Sequence, residues 1–315
     1  MTPSQPILAI VVPCYNEQDV IIDSLSTLRA ILKTMVSEKQ ISPDSYIVLV
    51  DDGSTDNTYS PIQTRRDKNT RIIKLAHNVG HQAALLAGLH YVTDKVDCCI
   101  SIDADLQDDI EVMPEMVRHF CNGKQIVYGV RSNRDSDTLF KKGTASLFYQ
   151  LMQQMGVPII DNHADFRLVS NTVLKEFSKY KEVNLFLRGV FPQMGYPSSS
   201  VTYSRKKRNG GESKYPLWKM MKLAANGITS FTNYPLKIIT NVGIIVFAGS
   251  LLAALWVVYV VIADKNVPGW ASITLPIYFL GGIQLLSLGI IGEYISRIYL
   301  ETKQRPFYHI EEIVE

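Results

Sequence analysis

A short apolar run in the first half of the chain ends in four carboxylates and a carboxamide. The segment Cys98–Asp109 reads CCISIDADLQDD, and its apolar part has the length of a buried strand. Asp103 and Asp105 are separated by one residue and Gln107 follows, so their side-chain oxygens can converge on one hard cation. Mg²⁺ or Mn²⁺ is the expected cation. Because such a cation keeps water ligands and bridges phosphate oxygens, the cluster predicts a phosphate-bearing substrate.

An alternative is that Asp103 and Asp105 are solvated turn residues before a helix that starts near Ile110. Isolated Asp-x-Asp pairs are common in proteins that bind no metal, so the spacing alone does not distinguish the two interpretations. The placement of polar residues elsewhere in the chain favours the metal site.

Apolar runs that end in polar or turn-forming residues recur along the first half of the chain. They are Ile7–Val12, Tyr46–Val50, Ile72–Leu75, the run into Asp103, and Ile126–Val130. Helical patterns follow the first run, at Val20–Met35, and the third run, through Tyr91. This alternation predicts an α/β fold with a mostly parallel sheet and helices on both faces. In such sheets ligands bind beyond the carboxyl ends of the strands.

Polar side chains are expected at that edge of the sheet. They are Glu17, Asp51, Asp52, Asp103, Asp105 and Arg131. The first strand-to-helix turn contains no glycine, so the Gly-x-Gly-x-x-Gly loop that holds a pyrophosphate in dinucleotide-binding proteins is absent. A nucleotide diphosphate would instead be held through a metal. Ser54 or Asp56 is expected to cap the helix after the second run.

A second polar segment, Asn162–Leu168, lies between apolar neighbours. On an extended backbone Asp165 and Arg167 point to the same side of the strand. They could form a surface ion pair or belong to the site, and the local pattern leaves both possibilities open.

Two charge-free stretches occupy the last third of the chain. No charged residue lies between Lys237 and Asp264, or between Lys265 and Glu293. Each stretch is long enough as a helix to cross a hydrocarbon core, which takes ~20 apolar residues. We expect two membrane-spanning helices, of which Val242–Ala263 is the clearer. A buried hairpin of soluble helices is the alternative.

Basic residues flank the two stretches on their outer sides. They are Lys206, Lys207, Arg208, Lys214, Lys219, Lys222 and Lys237 before the first stretch, and Arg297, Lys303 and Arg305 after the second. The connector Asp264–Trp270 carries only Lys265. By the positive-inside rule, both ends of the hairpin face the cytoplasm. We therefore expect a multi-pass protein of the inner (cytoplasmic) membrane with cytoplasmic termini, no signal peptide and four reduced cysteines.

The composition divides the chain into four predicted parts. They are a catalytic domain (1–215), an amphipathic juxtamembrane helix (216–236), a transmembrane hairpin (237–296) and a cytoplasmic tail (297–315). The basic, glycine-broken segment Arg205–Lys214 is suited to bind a lipid phosphate. The segment Leu217–Thr232 mixes aromatic and basic residues as interfacial helices do.

Five motifs in this chain resemble those of the family 2 glycosyltransferases and occur in the family's order. They are VPCYNE (12–17), DDGSTD (51–56), DADLQ (103–107), ADFRL (164–168) and GESK (211–214). The resemblance is closest to the polyprenyl-phosphate branch, which includes dolichol-phosphate mannose synthases and bactoprenol glucosyltransferases. The apolar segments FLGGIQ (279–284) and GEY (292–294) resemble the bactoprenol type.

The resemblance implies a GT-A fold and the inverting transfer of a sugar from a nucleotide diphosphate to a polyprenyl phosphate. It places Pro13, Tyr15, Glu17, Asp51 and Asp52 around the base and ribose, with Asp51 on the base. Asp103, Asp105 and Gln107 would lie at the metal and diphosphate. Phosphate groups would be bound by Arg131, Arg167, Arg205, Ser213 and Lys214, with Arg131 also counted among the catalytic residues.

Asp165 occupies the position where the family is proposed to have a catalytic acid or base. A phosphate monoester has its second pKa near 6, so at pH 7 the acceptor is already largely a dianion and needs little help from a base. Asp165 could therefore orient Arg167, the metal or the acceptor instead. The charge on the departing nucleotide, by contrast, requires a cation held by Asp105.

The chain departs from the family at His77-Asn78-Val79-Gly80-His81, where an arginine and a lysine are usual in place of the two histidines. If either imidazole contacts phosphate, activity should depend on pH near 6 to 7. The alternative is that both are ordinary loop residues.

UDP-glucose is the donor that the bactoprenol resemblance favours, followed by UDP-N-acetylglucosamine and GDP-mannose. The expected partners are the polyprenyl (undecaprenyl) phosphate, membrane lipids, further copies of the chain, a flippase and a second glycosyltransferase, and no nucleic acid. A processive polysaccharide synthase is disfavoured because no tryptophan follows an arginine in a Gln-x-x-Arg-Trp motif. A non-catalytic scaffold or lipid-sugar translocation partner remains the alternative of another class.

Overall fold

The computed structural model describes residues 5–132, 163–182, 187–204, 234–262 and 269–315. The chain divides into two compact units, one formed by Met1–Lys214 with Arg305–Glu315 and the other by Tyr215–Gln304. The basic segment Arg205–Lys214 and the interfacial segment Leu217–Thr232 lie outside the described residues.

The described residues of the first unit form an α/β domain with eight strands. These are β1 (Leu8–Cys14), β2 (Tyr46–Asp51), β3 (Thr70–Leu75), β4 (Cys98–Ser101), β5 (Ile126–Arg131), β6 (His163–Ser170), β7 (Ser198–Tyr203) and β8 (Ile310–Val314). Its described helices are α1 (Ile21–Ser37), α2 (Tyr59–Thr64), α3 (His81–Val92), α4 (Met113–Cys121), α5 (Asn171–Phe177) and α6 (Leu187–Gln193), with a 3₁₀ turn at Ile110–Val112. The five strands expected in the first half of the sequence are all present.

The strands form one sheet in the order β7-β5-β6-β4-β1-β2-β3-β8. The central strands β3, β2, β1 and β4 are parallel, as predicted; Val11 of β1, for example, lies opposite Val48 of β2 and Ser101 of β4. β6 is antiparallel to both β4 and β5, and β8 is antiparallel to β3. The sheet is therefore mixed, and the expectation of a mostly parallel sheet holds only for its centre.

Helices cover both faces of the central strands. On one face α1 buries Leu25, Leu28 and Leu32 against the sheet, and each such leucine contributes roughly 1.5–3 kcal/mol of burial free energy. On the other face α3 approaches β1 and β2 so closely that a Cβ at Gly88 would lie 2.4 Å from a methyl group of Val11. Glycine at position 88 thus permits this helix to pack directly on the strands.

The C-terminal segment returns to the α/β unit as the edge strand β8. Ile313 lies opposite Ile73 of β3 in the antiparallel register. Two tyrosine hydroxyls donate hydrogen bonds to glutamates of this segment: Tyr59 to Glu312 and Tyr91 to Glu315, each at 2.6 Å. The segment predicted to be a cytoplasmic tail therefore contains a strand that covers one edge of the sheet.

The described residues of the second unit form two long helices, α7 (Tyr234–Ile262) and α8 (Trp270–Lys303). Within the residues that the structure describes, one stretch is long and apolar enough to cross a membrane, Phe279–Lys303 in α8. The two predicted spans are therefore not both confirmed.

Candidate active site

Several loops meet at the carboxyl edge of the parallel strands. β5 runs parallel to β4 because both are antiparallel to β6, so Arg131 ends its strand at the same edge as Asp51 ends β2. β6 runs the other way, and its first residues, including Asp165, therefore start at this edge. The reversed strand explains how a carboxylate 60 residues after Asp105 joins the site.

The loops after β1 and β2 are joined by hydrogen bonds. Asn16 adopts a left-handed conformation with φ 53°, its backbone N–H donates to Ser54 Oγ at 3.0 Å, and its side-chain oxygen accepts from the Thr55 N–H at 2.9 Å. Asp56 accepts from the backbone N–H of Gln18 at 3.3 Å. The prediction that Ser54 or Asp56 caps the next helix is wrong, because α2 follows Thr58 without a side-chain cap. Ser54 bonds the first loop, and Asp56 bonds both that loop and, through Oδ1, the Thr58 N–H at 3.0 Å.

Asp51 is a buried carboxylate at the base of these two loops. Its Oδ1 accepts a 3.3 Å hydrogen bond from the Ser54 N–H, while Oδ2 is buried without a hydrogen-bond partner. Burial raises the pKa of Asp51 above its ordinary value. An unpaired buried acceptor of this kind is a position where a ligand N–H can bind. Pro13 is buried at the end of β1, whereas Tyr15 is exposed.

Asp52 holds the loop that follows β3. Its Oδ1 accepts from the Val79 N–H at 2.8 Å, and its Oδ2 accepts from the Gly80 N–H at 2.9 Å and from Asn78 Nδ2 at 3.1 Å. Burial is the main cause of its raised pKa. Through these three hydrogen bonds, Asp52 positions the loop that leads to His81.

The turn after β4 carries the predicted metal ligands. Leu106 has a φ of 43°, and Asp105 Oδ1 accepts a 3.3 Å hydrogen bond from the Gln107 N–H, so the turn is tight. Asp103 Oδ1 is buried and has no hydrogen-bond partner, although His81 Nε2 lies 3.4 Å away. Burial raises the pKa of Asp103.

The donor set fits a hard cation that shares its coordination with a substrate. Among the residues that the structure describes, no group of three or more His, Cys, Asp or Glu side chains is arranged to hold a metal by itself. Asp103 Oδ1 accepts no hydrogen bond, and Asp105 and Gln107 follow it on the same turn. Mg²⁺ and Mn²⁺ are commonly bound by one or two carboxylates, with waters and phosphates completing the shell.

Asp165 lies between two arginines. Arg167, fully buried, donates from Nη2 to Asp165 Oδ1 and from Nη1 to the Leu187 carbonyl at 3.0 Å. Arg188, at the start of α6, donates from Nε to Asp165 Oδ1 at 3.3 Å and from Nη2 to Oδ2 at 2.9 Å. Asp165 and Arg167 do share one face of the strand, but the surface ion pair considered from the sequence is wrong, because both residues are buried.

The surroundings of Asp165 keep its carboxylate ionised. Burial alone would raise its pKa, but the positive charges of Arg188 and Arg167 outweigh this and lower the pKa well below its ordinary value. A carboxylate with so low a pKa is a weak proton acceptor at neutral pH. The geometry suits a positioning role better than general base catalysis.

Arg131 is held at the end of β5 by a buried acid. Its Nε and Nη2 donate to Asp108 Oδ1 at 3.2 and 3.1 Å, and Asp108 is 3% exposed. The structure thus connects Arg131 to the acidic turn after β4. Phosphate binding by Arg131 and by Arg167 stays a prediction.

Three predicted site residues, Arg205, Ser213 and Lys214, lie outside the residues that the structure describes. Two residues that the structure places at the site, Arg188 and Asp108, were not predicted from the sequence. Asp108 was visible as one of the four carboxylates, but nothing in the apolar sequence Leu187–Gln193 distinguishes Arg188 as part of a site.

Comparisons with known proteins identify the family of the chain. The family model described as glycosyl transferase family 2 matches residues 9–178, and the one described as GtrB C-terminal hairpin matches residues 234–298. The chain is 47% identical to the uncharacterized glycosyltransferase YkoT of Bacillus subtilis, over 99% of this chain and 93% of that protein. It is 38% identical to the bactoprenol glucosyl transferase of Shigella phage SfX, over 96% of this chain and 98% of that protein.

Solved structures resemble the chain more distantly. Mannosyl-3-phosphoglycerate synthase from Rubrobacter xylanophilus is 13% identical, with a TM-score of 0.48, over 70% of this chain and 71% of that one. Glucosyl-3-phosphoglycerate synthase from Mycobacterium tuberculosis, in complex with Mn²⁺, UDP-glucose and phosphoglyceric acid, is 18% identical, with a TM-score of 0.46, over 72% of this chain and 78% of that one. Likeness at this level carries no functional conclusion.

The sequence matches confirm the enzyme class that the motifs predicted, a hexosyltransferase, and the likeness to the bactoprenol type. The mixed sheet with helices on both faces is accordingly a GT-A-like α/β fold. The chain belongs to glycosyl transferase family 2.

Proposed function

We propose that this protein transfers glucose from UDP-glucose to undecaprenyl phosphate, with inversion at the anomeric carbon. The observation that carries the proposal is the Asp103 oxygen that accepts no hydrogen bond, beside Asp105, at the same sheet edge as the buried Asp51 oxygen that accepts none. The position of Asp103 and Asp105 suits a cation and phosphates, and that of Asp51 suits a nucleobase. The names of the relatives supply the acceptor class and the sugar.

The nucleotide would lie over the joined loops after β1 and β2. Uracil carries an N–H donor at its pairing edge, and Asp51 Oδ2 is an acceptor without a partner. Pro13, Tyr15 and Glu17 belong to the first of these loops, and Asn16 fixes that loop to Ser54 and Thr55. This supports the predicted contact of Asp51 with the base, while Asp52 acts through the loop at Val79 and Gly80.

Asp103, Asp105 and Gln107 would hold a divalent cation, Mg²⁺ or Mn²⁺. When bound, the cation would neutralise the charge that develops on the departing nucleotide diphosphate. Arg131, held by Asp108, would add a positive charge from β5. These residues therefore supply the electrostatic part of catalysis.

The acceptor phosphate needs orientation more than deprotonation. At pH 7 a phosphate monoester is largely a dianion, and the positive charges of Arg188 and Arg167 lower the pKa of Asp165, which makes it a weak base. We therefore assign Asp165 a positioning role. The transfer would depend on holding the dianion in line with the anomeric carbon.

We further propose that α7 and α8 both span the inner membrane, with the catalytic domain and both termini in the cytoplasm. α7 has 29 residues with Lys237 its only charge, and the match to a C-terminal hairpin family covers both helices. Membrane insertion brings the domain to a lipid acceptor. Homo-oligomers, a flippase and a second glycosyltransferase that uses the lipid-linked sugar are the proposed partners, and nucleic acid is not among them.

The sugar can be identified by a donor comparison. Membranes containing the protein are incubated with undecaprenyl phosphate, Mg²⁺ and radiolabelled UDP-glucose, UDP-N-acetylglucosamine or GDP-mannose, each separately. Label in the lipid fraction from UDP-glucose supports the proposal. Label only from one of the other donors would show that a different sugar is transferred. A scaffold without catalysis would produce no labelled lipid from any donor and would tolerate Asp105→Ala.

A further inference from the structure

Tyr203 is the last residue of β7 and lies next to Arg131, the last residue of β5. The two residues are opposite each other in the parallel register of these strands, so their side chains stand on the same face of the sheet. Tyr203 is 3% exposed, whereas the side chain of Arg131 is 28% exposed. The arginine can therefore reach a ligand, and the tyrosine can act on that ligand only through its neighbours.

The ring of Tyr203 is held by close packing. It meets the ring of Phe166 edge to face, with the ring centres 5.5 Å apart, and a Cβ at Gly129 would lie 3.0 Å from its Cε1 atom. The backbone N–H and the hydroxyl of Ser132 both donate to the Tyr203 carbonyl, at 2.9 and 3.0 Å. Because ring and backbone are both fixed, the position of the Tyr203 hydroxyl is fixed as well.

The Tyr203 hydroxyl lies close to the carboxylate of Asp108. Burial raises the pKa of Tyr203, and the negative charge of Asp108 raises it further. The hydroxyl is nevertheless buried without a hydrogen bond of standard geometry. A buried hydroxyl in this state costs free energy, so phenylalanine would serve the packing of the ring at least as well.

Asp108 holds Arg131 by one side of its guanidinium. Nε and Nη2 of Arg131 donate to Asp108 Oδ1 at 3.2 and 3.1 Å, and Nη1 takes no part in this pair. A guanidinium held in this way can turn its remaining donors to a phosphate. Asp108 would then share the positive charge of Arg131 with the phosphate, and the hydroxyl of Tyr203 is a neighbouring donor that can compensate.

We propose that Tyr203 is a positioning residue for Arg131: its hydroxyl donates to Asp108 when Arg131 binds a substrate phosphate, and so holds the guanidinium in place. The inference rests on the proposed function for the identity of that phosphate. It belongs to the nucleotide diphosphate or to the lipid acceptor, and separate binding probes distinguish the two. Tyr203 itself does not contact the substrate.

A double-mutant cycle with Tyr203→Phe and Arg131→Gln tests this coupling. Binding of UDP with Mn²⁺ and binding of undecaprenyl phosphate are measured separately, with the full-length protein in nanodiscs. We expect Arg131→Gln to weaken binding of one probe by at least about 10-fold, and Tyr203→Phe to weaken the same probe by about 3- to 10-fold. The double variant should bind that probe as weakly as Arg131→Gln alone, because the hydroxyl acts only through Arg131.

Stability measurements separate positioning from a purely structural role. Tyr203→Phe keeps the ring and removes a hydroxyl without a hydrogen bond, so its unfolding midpoint should not fall. A structural role alone would lower the midpoint and give additive losses of binding. Tyr46→Phe is the matched control, since Tyr46 is a buried tyrosine that begins β2 at the opposite edge of the sheet, and this variant should bind both probes normally.

The outcomes that would overturn the role of Tyr203 are additive losses in the double variant, normal binding of both probes by Tyr203→Phe, or binding of neither probe by the wild type. Glucose transfer is measured with the same preparations. A wild-type protein that shows the coupling in binding but transfers no sugar would contradict the proposed reaction alone. If Tyr203→Phe does not fold, Asp108→Asn takes its place in the cycle, and losses additive with those of Arg131→Gln would overturn the proposal.

Discussion

The imidazole of His81 lies against the carboxylate of Asp103, with Nε2 3.4 Å from Oδ1. His81 begins helix α3 after the loop that Asp52 holds, and Asp103 follows β4, so this contact joins two separate loops of the sheet edge. It also brings Asp165 of β6 near the acidic turn, at 3.8 Å from the same nitrogen. The site is thus assembled from three segments far apart in sequence.

Replacing Asp105 should abolish most of the transfer activity. We expect Asp105→Asn to lower kcat about 100- to 1,000-fold, because the cation that offsets the leaving-group charge loses a ligand. Initial rates across a Mn²⁺ titration measure the effect. Asp44→Asn, an exposed aspartate before β2, is the control. Full activity of Asp105→Asn in the presence of a chelator would contradict the assignment.

Asp51→Asn should raise the thermal stability of the protein and weaken its binding of UDP. The variant removes a buried charge with an unpaired oxygen, so at pH 7 we expect a higher unfolding midpoint and at least 10-fold weaker UDP binding. The native pKa of Asp51 is raised, so its stability contribution is complete below its ordinary value of 3.8 and is lost as pH rises through the native pKa.

The thermal advantage of Asp51→Asn should consequently shrink as the pH falls from 7 towards 4. Differential scanning fluorimetry of both proteins across this range, with calorimetric titration of UDP at pH 7, measures the two effects. An unchanged affinity for UDP would show that Asp51 does not contact the base.

Asp52→Asn should loosen the loop before α3. An amide has one acceptor oxygen in place of two, so at least one of the bonds from Val79, Gly80 and Asn78 is lost and an amide N–H meets a donor. We expect a loss of about 2–3 kcal/mol in the free energy of unfolding, together with reduced activity. Denaturant unfolding and hydrogen exchange at residues 79 and 80 measure it. Normal exchange protection there would refute the role of Asp52.

Removing β8 should destabilise the α/β unit. A chain that ends at Pro306 loses the pairing with β3 and the bonds from Tyr59 and Tyr91, and exposes an edge that can associate with other chains. We expect an unfolding midpoint lower by about 5 °C or more. Glu311→Gln, which breaks only the exposed pair with Lys74, should change the midpoint by less than about 2 °C. Equal midpoints for the two variants would be inconsistent with a structural role of β8.

The sequence predicted the structure best where apolar strands end directly in candidate site residues. The five runs into polar residues identified β1 to β5 and the edge that carries Asp51 and Asp103, because apolar strands and turn formers leave a local signal. The direction of β6 leaves no such signal, since alternation is the same for parallel and antiparallel partners. That the sheet is mixed could therefore be established only from the structure.

Contacts between residues that are far apart in the chain could not be predicted from the sequence either. Arg188 contacts Asp165, 23 residues earlier in the chain, because α6 brings the two together. Likewise, β8 can be recognised as a strand only from its pairing with the edge of β3. Ser54 and Asp56 have the right types for helix caps, yet neither caps α2. Ser54 bonds the loop after β1, and Asp56 bonds that loop through one oxygen and the Thr58 N–H through the other.

The most direct test of the proposed function is the product formed by the purified full-length protein in nanodiscs. The protein is incubated with undecaprenyl phosphate, UDP-glucose and Mn²⁺, and the lipid fraction is analysed by mass spectrometry with and without a chelator. We predict a lipid that has gained one hexosyl group, formed by the wild type and lost with the chelator or with Asp105→Asn. A folded wild-type protein that binds UDP but leaves the lipid unchanged would contradict the account.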